Sequence, residues 1–209
     1  MKKIACFYLI IIAMSCHKKK IEKWDTVIID NTLSRNDVYK KMDKEKEIFS
    51  WDENMQNSKR QDSLLAKKSS DVKLFEGSPN EFIETLFNAS GVAGYASYNN
   101  CRAYLQSDTV IINIGISSMF TGHNISIRYT NKAFSVKGED WSDVIMPCKE
   151  TTYDSTIFHK LILDKSIYKL GDSLYGFIDF KSIQTNDCKD TLLFRANGFF
   201  RTKILLPKE

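Results

Sequence analysis

Histidine is scarce in this 209-residue chain, with three in all, and proline is equally rare at three. Glycine is limited to nine residues. No Gly-x-Ser-x-Gly elbow, no phosphate-binding glycine loop and no His-Glu-x-x-His helix occurs, so the common nucleophilic, nucleotide and zinc-protease signatures are missing. With only His123 and His159 beyond the first twenty residues, a Ser-His-Asp arrangement has few ways to form. Long apolar runs are lacking too. The longest, Ile4 to Met14, is eleven residues, whereas a spanning helix needs about twenty.

What that run offers is a layout. Lys2 and Lys3 precede it, and Ala13, Met14 and Ser15 follow as the approach to a cleavage site, which is the pattern of a secretory signal. An ordinary secretory signal satisfies the same pattern and is cut in the same place. Cys16 directly after Ser15 resembles the lipobox of bacterial lipoproteins, in which the cysteine is acylated and becomes the mature amino terminus. That resemblance implies attachment of the chain to a membrane of the cell envelope, at the outer membrane, through lipid on Cys16. Several acyl chains make a firm anchor, since each buried methylene contributes about 0.8 kcal/mol and one chain alone holds only marginally. Lys18, Lys19 and Lys20 then either meet anionic head groups or keep the tether hydrated.

Charge balance excludes another class. The formal charge of +4 falls to +2 once Lys2 and Lys3 are removed. Residues 71–209 hold 15 basic and 16 acidic side chains, and no basic face stands out as a footprint for nucleic acid. Nothing in the sequence calls for a cofactor. Beyond Cys16 the cysteines are Cys101, Cys148 and Cys188, which allow one bridge with three pairings. Cys148 with Cys188 is the preferred pair, because both lie near expected strand ends. Together with His123 and His159 they show none of the close spacing of a metal site.

Four segments follow from periodicity and composition: a signal peptide over 1–15, a tether over 16–35, a charged helical stalk over 36–70, and a helix plus β domain over 71–209. Val27 to Ile29 is a short apolar group that forms an isolated strand or docks on the domain. Ser78-Pro79-Asn80-Glu81 is a helix start with a capping box. From Cys101 the period becomes two. Val110, Ile112, Ile114 and Ile116 share one face, and Ile125, Ile127 and Tyr129 another. FTGHN (120–124) is expected as a turn, and NKAFSVKGED as a strand ending at Gly138. Further strands are expected at Thr156 to Leu163, in SLYGFIDF and in LLFRANGFFRTKILL. Short strands with turn signals between them predict an antiparallel β-sandwich or barrel of about 105 residues, close to the size of an immunoglobulin-like sandwich.

Tyr168-x-x-Gly171-Asp172, followed by an alternating strand, resembles the Y-x-x-G-D/E turn of immunoglobulin-like and macroglobulin-like bacterial modules. The resemblance implies a left-handed Gly171, an Asp172 bonded to the turn backbone, and Leu174, Ile178 and Phe180 in the core. Through GDSLYG and GFFRTK the chain is also similar to small lipoproteins of the Bacteroidetes type.

Candidate binding residues are few. Within GEDWSD, Glu139, Asp140 and Asp143 can act as paired carboxylates for glycoside chemistry or as calcium ligands, with Trp141 as a sugar-stacking platform. A solvated inter-strand loop with a packed tryptophan is the plainer reading. Asn197, Phe199, Arg201 and Lys203 share one face of the last strand, either as a basic and aromatic partner surface or, for Phe199, as cover for the amino-terminal helix. His159 reads as a core histidine satisfied by one hydrogen bond, and His123 as an exposed turn residue. The expected function is a non-catalytic envelope lipoprotein that binds or supports an envelope protein or glycan. An immunity-type protein and a glycan hydrolase are the alternatives.

Overall fold

In a computed structural model, residues 22–45, 67–77, 100–117, 121–142 and 151–207 are described. They form one ten-stranded sheet that rolls nearly into a barrel, so the chain is mainly β. Two meanders make most of it. The first is β4 (Asn100–Gln106), β5 (Thr109–Ser117), β6 (Thr121–Thr130) and β7 (Ala133–Ser142). The second is β8 (Thr151–Leu163), β9 (Ser173–Asn186) and β10 (Thr191–Leu205). Period-two patterning drives both. Val110, Ile112 and Ile114 on β5 face Ile125, Ile127 and Tyr129 on β6, and all six are buried. On β9 every even position from Leu174 to Gln184 is buried.

A short parallel contact, Ile204↔Ala103 and Leu205↔Tyr104, joins the two meanders. The remaining gap lies between β7 and β8. There the chain start intervenes: β1 (Asp25–Thr26) pairs antiparallel with β7, and β2 (Ile28–Ile29) pairs parallel with β8. Within the segment expected as a tether, Asp25 to Ile29 thus form a strap across the seam, so the apolar group at Val27 to Ile29 docks on the domain. Val27 between the two strands is 6% exposed and belongs to the core, which supplies the reason. Strand order departs from an immunoglobulin Greek key, because consecutive strands are neighbours within each meander. β3 (Lys73–Gly77) lies on β10 from outside the main path.

Helix is brief among the described residues. A 3-10 turn (Leu33–Arg35) leads into α1 (Asp37–Met42), whose start is capped by Asn36 accepting from the Val38 amide. Of the charged helical segment expected over 36–70, the described part at α1 docks on the outer face of β8–β10, and residues 46–66 lie outside the described residues. Leu33, Tyr39 and Met42 bury against Ile162, Tyr175 and Phe199. The helix expected from Ser78 lies outside the described residues.

The β8–β9 loop follows the expected turn chemistry. Gly171 has φ of +83°, a region L side chains seldom adopt, and Asp172 accepts from the Lys169 amide at 3.1 Å. Leu174, Ile178 and Phe180 are fully buried. Tyr168 turns into the core, where its hydroxyl donates to Asp164 Oδ1 at 2.7 Å. Two expected turns are strand instead. Thr121 to Asn124 pair with β5 and β7, and Gly138 continues β7 because the Phe194 ring lies where a side chain would stand.

Candidate functional site

The seam between β7 and β8 is closed at one end by the strap. Val27 donates to the Lys132 carbonyl and Asp30 to the Leu163 carbonyl, both at 2.9 Å, and fix the closed end. Beyond it lies a cleft of about 350 Å3. Glu22 and Lys23 roof it, Arg128 and Ser135 to Glu139 form one wall, and Asp154 and Thr156 of β8 form the other.

Both charge signs meet there. Arg128 Nη1 lies 3.2 Å from Glu22 Oε1 and its guanidinium 5.9 Å over the Trp24 ring. Lys137 and Glu139 are 3.5 Å apart. Behind the Asp154 wall, Gln184 Nε2 donates to the Gly138 carbonyl at 2.8 Å and to Asp154 Oδ2 at 3.2 Å, and so ties β9, β7 and β8 together.

His159 sits under the strap. It is 6% exposed, its ring centroid is 4.8 Å from that of Phe134, and neither ring nitrogen has a hydrogen-bond partner. Its nearest charge partner is Asp25, 3.6 Å away. Desolvation and the charge of Lys23 hold its pKa below the ordinary histidine value, with Asp25 opposing them. The single hydrogen bond expected from sequence is absent, because the strap presents Asp25 at ion-pair and not hydrogen-bond distance.

Arg201 is not part of an exposed partner surface. It is 2% exposed, because α1 and residues 67–70 cover the outer face of β10. Its Nη1 reaches Asp43 Oδ1 at 2.8 Å and the Tyr39 carbonyl at 3.3 Å, and Nε donates to the Lys68 carbonyl at 3.1 Å. Phe199 covers the helix, edge-on to Tyr39 at 5.9 Å. Cys188 is disulfide-bonded and Cys101 is fully buried. Cys148, Asp143 and Cys16 lie outside the described residues. Asp140 and Trp141 are fixed only in register, opposite His123 and Gly122. Of the acidic cluster, Glu139 is thus the residue seen at the cleft. No group of three metal-ligating side chains occurs among the described residues.

No family model, curated protein or solved structure matches this chain. The site must be read from its own residues. Sequence reasoning missed Asp25, Arg128 and Gln184. Only Gln184 carried a local signal, a polar residue on the inward parity of β9.

Proposed function

We propose that this chain is a lipid-anchored envelope protein whose β domain binds another macromolecule at the β7–β8 cleft, without catalysis. One observation carries the reading. Residues 22–29, a few positions beyond the expected anchor at Cys16, line the cleft and strap the seam, which supports a reading in which anchor and cleft are close along the chain. Ion pairs of both signs around an open cleft suit an extended peptide or a glycan better than a small apolar ligand. The resemblance to immunoglobulin-like modules is supported by the Tyr168–Asp172 turn, while the meander order argues against carrying it further.

Two experiments test this. Cys16→Ser should abolish labelling by a fatty-acid analogue and release the protein from membranes; persistent labelling refutes the anchor. A photo-crosslinker at Lys137, at the cleft wall, should capture an envelope component that one at Thr191, away from the cleft, does not. Equal capture at both positions removes the cleft from the proposal.

Glycan hydrolysis remains as a second reading on one observation: Glu139 and Asp154 line the same cleft from opposite sides of the seam.

A further inference from the structure

One end of the barrel collects the exposed apolar side chains. Strand directions place the β4–β5 turn (107–108), the β6–β7 turn (131–132), the 164–172 loop and the finish of β10 together. Hydrogen bonds confirm the grouping: Gly171 N to Ile204 O at 2.9 Å, Ile204 N to Asp172 O at 2.9 Å, and Tyr129 Oη to Ser166 O at 2.7 Å. The strap reaches the same end, where Val27 donates to Lys132.

Tyr168 plugs this end from within, and the residues around it turn outward. Ile167 is 74% exposed, Leu170 53% and Leu206 64%. With Ile28 and Trp24 on the strap, five of the eight large exposed hydrophobics among the described residues lie at or beside this end. Water-facing loop tips gain nothing from such residues. A bilayer interface does reward them.

The tether selects the orientation. Cys16 and Glu22 are six residues apart, and at full extension that chain reaches only about 20 Å. Glu22 is held on Arg128, whose β7 partner is Ser135, close to the 131–132 turn. Turning the opposite end to the bilayer would require the tether to run beside β7 from 135 to 142, about 24 Å at strand rise. Even with the strands tilted in the rolled sheet, a tether of that reach would have to be almost straight, so it favours the end beside the 131–132 turn.

Building on the lipid-anchor reading, we propose that the end closed by the 164–172 loop rests on the bilayer holding the anchor, with Ile167, Leu170 and Leu206 in its interfacial layer. Lys132, Lys165 and Lys169 share this end with Asp108 and Asp172, and Lys165 is 3.5 Å from Asp172. The local charge is mixed, so the contact is apolar in origin and does not require anionic lipid.

The test uses the full, lipidated chain reconstituted into vesicles of phosphatidylethanolamine and phosphatidylglycerol. Ile167→Cys and, as control, Tyr153→Cys near the opposite end (52% exposed) each carry a polarity-sensitive dye. Cys101 is buried and Cys188 bonded, and the parent chain treated with the same dye gives the background from the remaining cysteines. The dye at 167 should shift to the blue and be quenched by spin-labelled lipid several-fold more than the dye at 153. Exchanging phosphatidylglycerol for phosphatidylcholine should leave that difference in place. A chain that floats with the vesicles while its 167 dye stays as aqueous as the 153 dye overturns this proposal and leaves the anchor standing. A chain that does not float at all overturns both.

Discussion

Arg201 on β10 and Asp43 just after α1 meet at 2.8 Å, with the arginine side chain 2% exposed and the aspartate 45% exposed. This contact pins the helix to the sheet. Asp43 also accepts from Lys67 at 3.0 Å, and those two cations hold its carboxyl below the usual carboxylate range, Lys67 contributing most. Arg201→Ala leaves Asp43 with Lys67 and the Tyr39 carbonyl with the Asp43 amide, but strands the Lys68 carbonyl under the helix. We expect a loss of about 3 kcal/mol from the arginine and about 1 kcal/mol or less from Asp43→Asn, which is solvent-screened. Urea unfolding midpoints check the order; equal losses would contradict it.

His159 makes stability depend on pH in a defined direction. Its folded pKa lies below the ordinary value, so on acidification the unfolded chain takes up the proton first. Stability is then full at neutral pH and falls as pH drops through the ordinary histidine range, near 6.5. Lys23 and Asp25 of the strap and Lys160 of its own strand are the neighbouring charges. His159→Phe should flatten the dependence between pH 7 and 5, measured by thermal unfolding; an unchanged slope would assign it to other groups.

Two glycines separate conformational from steric cost. At Gly171 a new Cβ meets nothing within 4 Å, but φ is +83°. Gly171→Ala should therefore cost about 1 kcal/mol. At Gly176 the Cβ would stand within the van der Waals envelope of the Phe200 ring, which is fully buried. Gly176→Ala should cost about 3 kcal/mol or more. Thermal unfolding of the two variants gives the ranking, and Gly171→Asn should recover most of the smaller loss.

If the cleft hydrolyses a glycan, Glu139→Gln and Asp154→Asn should each abolish turnover of a peptidoglycan or polysaccharide panel while leaving the circular dichroism intact. Turnover that is unchanged in both variants eliminates the second reading.

Val27→Asp tests the strap. Placing a charge in the core position between β1 and β2 should speed hydrogen exchange at Val27 and Asp30, whose amides bond Lys132 and Leu163 across the seam. Exchange in β5 and β6 should change little, since their ladders do not depend on the strap. A uniform rise across the molecule would mean that the strap is integral to global stability.

The meanders were legible because each strand carries its own period and meets its sequence neighbour. β5, β9 and β10 fall where alternation placed them, and the Tyr168–Asp172 turn formed with the bonds its residues imply. Closure was not legible. The β10–β4 and β2–β8 contacts are parallel and join residues about 100 or more apart, and such pairings leave no local trace. The burial of Arg201 was hidden for a related reason: its outward parity is correct, but α1 arrives from far upstream to cover it. At the cleft, Glu139 came from a local acidic run, whereas Arg128 and Asp154 reached it only through the roll of the sheet.

The strap also sets an order of events in time. Asp25 awaits Phe134 and Ile28 awaits Ile162, so the first strands to be synthesised have no partners until most of the chain has followed. Contacts this distant form late and slowly. The meanders therefore assemble first, and the seam shuts afterwards. The earliest-made piece of the sheet is its last stitch.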